Sequence, residues 1–99
     1  MLQNSGIRDI VIKEICDIAE KYEIEKVILF GSRARGDYKK TSDIDLASCG
    51  GNHVLFALDV DETTSTLLKF DIVNLDGVVQ EELRESIKKE GKILYEKIW

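Results

Sequence analysis

No proline interrupts this chain, and it holds only two cysteines and one histidine. No apolar run approaches the ~20 residues that a membrane span needs. Each absence removes a class of explanation. Without proline, a repeat or a linker-like stretch, nothing divides the 99 residues, and one domain over residues 1–99 is expected. Cys16 and Cys49 form no CxxC pair, and with His53 as the lone histidine a zinc site does not fit. The N-terminus lacks a basic region followed by a long apolar run, so no secretory signal is read. A reduced, cytoplasmic setting follows, with both thiols as small core hydrophobes. A basic excess is also missing: 14 Lys and Arg stand against 19 Asp and Glu, a net charge of −5. That argues against a nucleic-acid platform, so no direct nucleic-acid binding is expected. The charge is uneven, however. Between Gly31 and Ser42, Arg33, Arg35, Lys39 and Lys40 face Asp37 alone.

What is present reads as an ordinary folded chain, 43% apolar and 33% charged. From about Gly6 to Tyr22, Ile7, Ile10, Val11, Ile15, Ile18, Ala19 and Tyr22 recur at spacings of three and four, predicting an amphipathic helix. Asn4 or Ser5 is placed to cap it. Lys26–Phe30 is a short, continuously apolar, β-prone run, as in a strand buried on both faces. Arg33 to Arg35 opens a short helix, a polar loop follows to Thr41, and Asp43–Ser48 is a second strand closed by Gly50-Gly51. A helix from Asn52 to about Thr64 has Val54, Leu55 and Leu58 spaced for its inner face. Leu67–Leu75 reads as a third strand, and Val79–Glu90 as a helix with Leu83 and Ile87 inward and Gly91 as its C-cap. The type of the last apolar piece, Ile93 to Trp99, stays open, with Trp99 expected to pack on the core. The architecture is α/β (α+β), a small mixed sheet with helices packed on it.

The chemistry concentrates in two places. Gly31-Ser32-Arg33-Ala34-Arg35-Gly36 is a glycine-bounded turn after a strand, and its backbone N–H groups and serine hydroxyl suit a phosphate. Ser42-Asp43-Ile44-Asp45-Leu46 follows, and on an extended strand Asp43 and Asp45 share one face. Two carboxylates on one face repel unless a cation lies between them. Asp71 interrupts an apolar strand and is costly to bury unless paired or bound to a cation. Beside the second strand it would face Asp43 and Asp45 across roughly 5 Å. Three carboxylates around one or two Mg²⁺ ions allow in-line attack on an α-phosphorus, with Asp71 also a candidate general base. A calcium loop is excluded, because the Asp-x-Asp-x-Asp-Gly pattern does not continue after Asp45. His53 reads as a helix-start residue, and Asp59, Asp61 and Glu62 as a solvated acidic patch.

These segments, with Phe70-Asp71-Ile72-Val73, resemble the minimal nucleotidyltransferases of the polymerase-β-like superfamily over essentially the whole chain. The resemblance implies the nucleotidyltransferase fold, with Asp43, Asp45 and Asp71 as catalytic metal ligands for Mg²⁺. It implies that Gly31 and Ser32 hold the triphosphate of ATP, with Arg33 and Arg35 as further nucleotide-binding candidates. Small members of the family pair with HEPN-domain toxins, which implies an antitoxin that transfers AMP to a tyrosine of a HEPN partner. Family members tend to self-associate, so a homo-oligomer is among the implied assemblies. Two other functions share these residues. One is a non-catalytic module that neutralises a HEPN partner by contact. The other is an antibiotic-type nucleotidyltransferase acting on a small hydroxyl acceptor, which would normally need a further helical domain.

Overall fold

The structure is a computed structural model and describes residues 4–98; the packing expected of Trp99 lies outside the described residues. The element order is α1 (Asp9–Lys21), β1 (Lys26–Phe30), α2 (Ser32–Arg35), β2 (Ile44–Cys49), α3 (His53–Thr63), β3 (Phe70–Asn74), α4 (Glu81–Glu90) and β4 (Lys92–Glu96). The strands form one mixed sheet in the order β3-β2-β1-β4. β1 pairs antiparallel with both β2 and β4, and β2 pairs in parallel with β3. A parallel pair needs a crossover rather than a tight turn, and α3 supplies it.

Strand alternation divides the core in two. Val27, Leu29, Ile44 and Leu46 point to the face covered by α1 and α3, against Ile15, Phe56 and Val60. Phe30 and Ala47 point to the opposite face, where Ile87 of α4 covers them. Removing such side chains from water contributes roughly 1.5–3 kcal/mol each, so the sheet is the rigid layer on which everything else is hung. Among the described residues no helix is long and apolar enough to cross a membrane.

Three expectations need correction. α1 begins at Asp9 rather than Gly6, with Arg8 at the N-cap and no side-chain cap bond. Ser5 is instead drawn inward: it is buried, its hydroxyl accepts from the Ile7 N–H at 3.2 Å, and its carbonyl accepts from Arg33 at 3.0 Å. α3 is rotated from the expected phase. Phe56 and Val60 are its buried residues, while Val54, Leu55 and Leu58 are exposed. The helix does begin as expected, with the Asn52 side chain accepting from the Leu55 N–H. Neither cysteine is fully buried, although both are free thiols, and Cys16 Sγ donates to the Leu94 carbonyl at 3.4 Å. The apolar piece left open after Gly91 is β4, which covers the outer edge of β1.

Candidate active site

The site forms at one end of the sheet, where β1 finishes and the parallel strands β2 and β3 begin. Phe30, the last residue of β1, lies opposite Asp45 of β2. The chain then turns at Gly31, whose φ of +75° lies where L side chains are rare. A Cβ at Gly31 would also collide with Oδ2 of Asp45. Glycine is therefore required twice, for its backbone angle and for the close approach of a carboxylate. The Gly31 carbonyl accepts from the N–H groups of Ala34 and Arg35 at 3.1 and 3.0 Å, winding α2 and setting Ser32 at the turn.

Asp45 and Asp71 are register partners across the β2–β3 ladder. Ile44 and Leu46 are buried beneath α1 and α3, so alternation turns Asp45 to the α4 face, while Asp43 stands one residue before β2, which begins at Ile44 and not at Asp43 as expected. Phe70 and Ile72 pack against the same core as Ile44 and Leu46, which turns Asp71 to the α4 face as well. Asp45 is partly buried, and Asp43 and Asp71 are exposed. Burial raises the Asp45 carboxyl above its ordinary range. The charges of Asp71 and then Asp43 raise it further, opposed by Arg35. Like charges thus meet at one end of the sheet, with Arg35 moderating them.

This donor set suits a hard divalent cation. All candidate ligands are carboxylate oxygens, and their mutual repulsion is what a cation would relieve. Among the described residues, no three His, Cys, Asp or Glu side chains form a ready-made cage. Mg²⁺ does not demand one, since it is commonly held by one or two carboxylates with substrate phosphates and water completing its shell. Asp43 and Asp45 fit that role, with Asp71 beside them.

The two arginines are placed differently. Arg33 was a nucleotide-binding candidate, but it is 2% exposed and its guanidinium is already committed. Nε donates to the Ser42 carbonyl at 3.0 Å and Nη1 to that of Ser5 at 3.0 Å. Nη2 donates to the Lys40 carbonyl at 3.3 Å, with that of Lys39 at 3.5 Å, and the group stacks 4.8 Å from the Tyr38 ring centre. A planar fork with five donors matches such a ring of carbonyls. Arg33 therefore ties the Gly31-Ser32 turn to the loop that delivers Asp43. Arg35 is exposed at the mouth, donating to Asp37 at 3.2 Å and to Glu90 of α4 at 3.1 Å. Sequence reasoning missed Tyr38, Ser5 and Glu90 as supports. Their roles depend on contacts between distant segments, and no local pattern marks them.

A four-stranded mixed sheet with a glycine–serine turn beside an Asp-x-Asp strand and a third aspartate on the parallel neighbour defines a nucleotidyltransferase. The family described as Polymerase beta, Nucleotidyltransferase matches residues 13–98, and the chain belongs to it. A protein of Methanocaldococcus jannaschii named as a candidate protein adenylyltransferase is 40% identical over 96 residues, covering 85% of this chain and 94% of that relative. A crystal structure of a toxin–antitoxin with AMP-PNP shares the fold at a TM-score of 0.71 and 20% identity, over 87% of this chain and 73% of that one. A mutant of the MntA–HpeT toxin–antitoxin matches at a TM-score of 0.70 and 18% identity, over the same shares.

Proposed function

We propose that this nucleotidyltransferase is a Mg²⁺-dependent protein adenylyltransferase. In this reading it moves AMP from ATP to a tyrosine hydroxyl of a HEPN-type toxin and so acts as the antitoxin, in the cytoplasm and without binding nucleic acid. The observation that carries the reading is the pairing of Asp45 with Asp71 across β2 and β3, one strand away from the Gly31-Ser32 turn. Support for a protein acceptor comes from the relative named for protein adenylylation. Support for a toxin partner comes from the fold shared with toxin–antitoxin structures.

In this reading each step falls to a named residue. Gly31 and Ser32 receive the phosphates, the backbone coming close because no side chain stands at Gly31. Asp43 and Asp45 would hold Mg²⁺, which supplies charge neutralisation at the phosphates and lowers the pKa of the acceptor hydroxyl. Asp71, exposed at the outer strand, accepts the hydroxyl proton. The hydroxyl oxygen bonds to the α-phosphorus, the bond from that phosphorus to the bridging oxygen breaks, and pyrophosphate leaves.

The test is intact-mass spectrometry of the chain co-purified with the protein encoded beside it, incubated with ATP and Mg²⁺. The expected outcome is a partner mass raised by whole adenylate units, absent with Asp45→Asn. A tight complex with no mass gain from any of the four nucleoside triphosphates would overturn transfer and leave neutralisation by contact. Partner neutralisation that survives Asp45→Asn would point the same way.

A further inference from the structure

α4 brings to the site a carboxylate that its own helix does not favour. The last turn of a helix gathers partial negative charge, and Lys88 and Lys89 answer it there. Glu90, the final residue, adds charge of the wrong sign. A residue set against a local rule points to a partner elsewhere in the fold. That partner is Arg35, whose Nη1 donates to Glu90 Oε1 at 3.1 Å across 55 positions of sequence. The sheet explains the meeting. Ile87 covers Phe30, the last residue of β1, and Phe30 lies opposite Asp45. Glu90 stands three residues beyond Ile87, on the same side of α4. Lys92 of β4 pairs with Leu29, so α4 ends at the catalytic end of the sheet, on the face to which Asp45 and Asp71 turn.

Arg35 is thus held from two sides. Nε donates to Asp37, two residues on, at 3.2 Å, and Nη1 to Glu90 of a distant helix. Nη2 makes no hydrogen bond among the described residues. The guanidinium charge draws the raised Asp45 carboxyl back down, so it lies within electrostatic reach of that carboxylate. The side chains of Arg35 and Glu90 are 44% and 25% exposed, and a pair so open to water contributes little to stability. What it fixes is a position: a long, flexible side chain is stopped beside the Gly31-Ser32 turn with one donor edge open. We infer that Glu90 is a positioning residue for nucleotide binding, setting Arg35 from α4 so that the open edge of its guanidinium meets the phosphates received at the Gly31-Ser32 turn. The inference rests on the nucleotide site of the reading above. A planar fork already stopped by two carboxylates loses less freedom on meeting a phosphate than a free side chain does. Glu90 itself repels phosphate, so it helps only through Arg35.

The test is calorimetry of the whole chain with Mg²⁺ and an ATP analogue carrying a methylene bridge between its α- and β-phosphorus. Glu90→Gln keeps the shape of the side chain and removes its charge. The expected result is binding about three- to fivefold weaker, the span that a part-exposed ion pair can convey, with the melting temperature unchanged. In transfer assays KM for ATP should rise by the same factor while kcat holds. Arg35→Ala should weaken binding further, and Glu90→Gln added to it should bring no further loss. Glu96→Gln, which removes a pair with Lys26 at the far end of β1, should leave affinity as it was. Equal or tighter binding by Glu90→Gln would overturn the inference, the tighter case making Glu90 a competitor of the phosphates for Arg35. A loss that persists in full on the Arg35→Ala background, or wild-type binding by Arg35→Ala itself, would overturn it too. A wild-type chain that binds the analogue but transfers nothing would overturn protein adenylylation and leave the Glu90 result standing. A wild-type chain that binds no analogue would overturn the nucleotide site, and the role of Glu90 with it.

Discussion

Two residues carry opposite lessons about the cost of building this site. Gly31 is held at positive φ against the Asp45 carboxylate, so Gly31→Ala meets both backbone strain and a collision. The expected loss is about 1–3 kcal/mol, read as a lower melting temperature, with nucleotide binding impaired in the molecules that still fold. Asp45 acts the other way. Burial, Asp71 and Asp43 raise its carboxyl in the folded chain, so the native state holds that proton more tightly than the unfolded state does. Its contribution to stability is complete below the ordinary carboxylate range and is lost as pH rises through the raised value. Asp45→Asn should therefore leave the melting temperature unchanged or higher at pH 7–8, while mass spectrometry shows no transfer. A marked drop in melting temperature would mean that the carboxylate supports the fold.

At the scale of elements, the tie made by Arg33 joins pieces that the chain order keeps apart. Lysine in its place offers one cluster of donors where four carbonyls were approached by a planar fork. Arg33→Lys should cost roughly 2–4 kcal/mol, since charged hydrogen bonds contribute about 1.5–3 kcal/mol each. Hydrogen exchange should quicken at the Ser42 amide, which donates to Lys39 within the tied loop. Exchange that quickens uniformly over the chain would deny a specific role in placing Asp43. These elements also show what a sequence discloses. The outward turn of Asp45 was legible because a strand alternates strictly, and the oddity of Asp71 because a charge stood among Phe70, Ile72 and Val73. The inner face of α3 was not legible, since Val54, Leu55, Phe56, Leu58 and Val60 leave no apolar stripe to fix its rotation. The tie made by Arg33 was not legible for a related reason: an arginine beside a glycine–serine turn carries no mark showing that backbone carbonyls have already claimed it.

Taken whole, the molecule has a net charge of −5 and brings three of its carboxylates to one end of the sheet. A cation bound there should stabilise the fold, by about 2.7 kcal/mol at a hundredfold excess over Kd. Protons compete for Asp45 as pH falls toward its raised carboxyl. Mg²⁺ should therefore lift the melting temperature more at pH 8 than at pH 5, and Asp45→Asn should remove most of the lift. An equal shift in the variant would place the ion elsewhere on the acidic surface. The crossover α3 has a further effect, on how the repulsion is held. β1 and β2 are joined through the short α2 segment and a loop, whereas β3 reaches β2 through α3, whose Phe56 and Val60 are buried in the main core. Asp45 and Asp71 are therefore neighbours by virtue of that packed crossover rather than of a local turn. The repulsion between them is set against the burial of a whole helix, and loosening α3 would let the two carboxylates part.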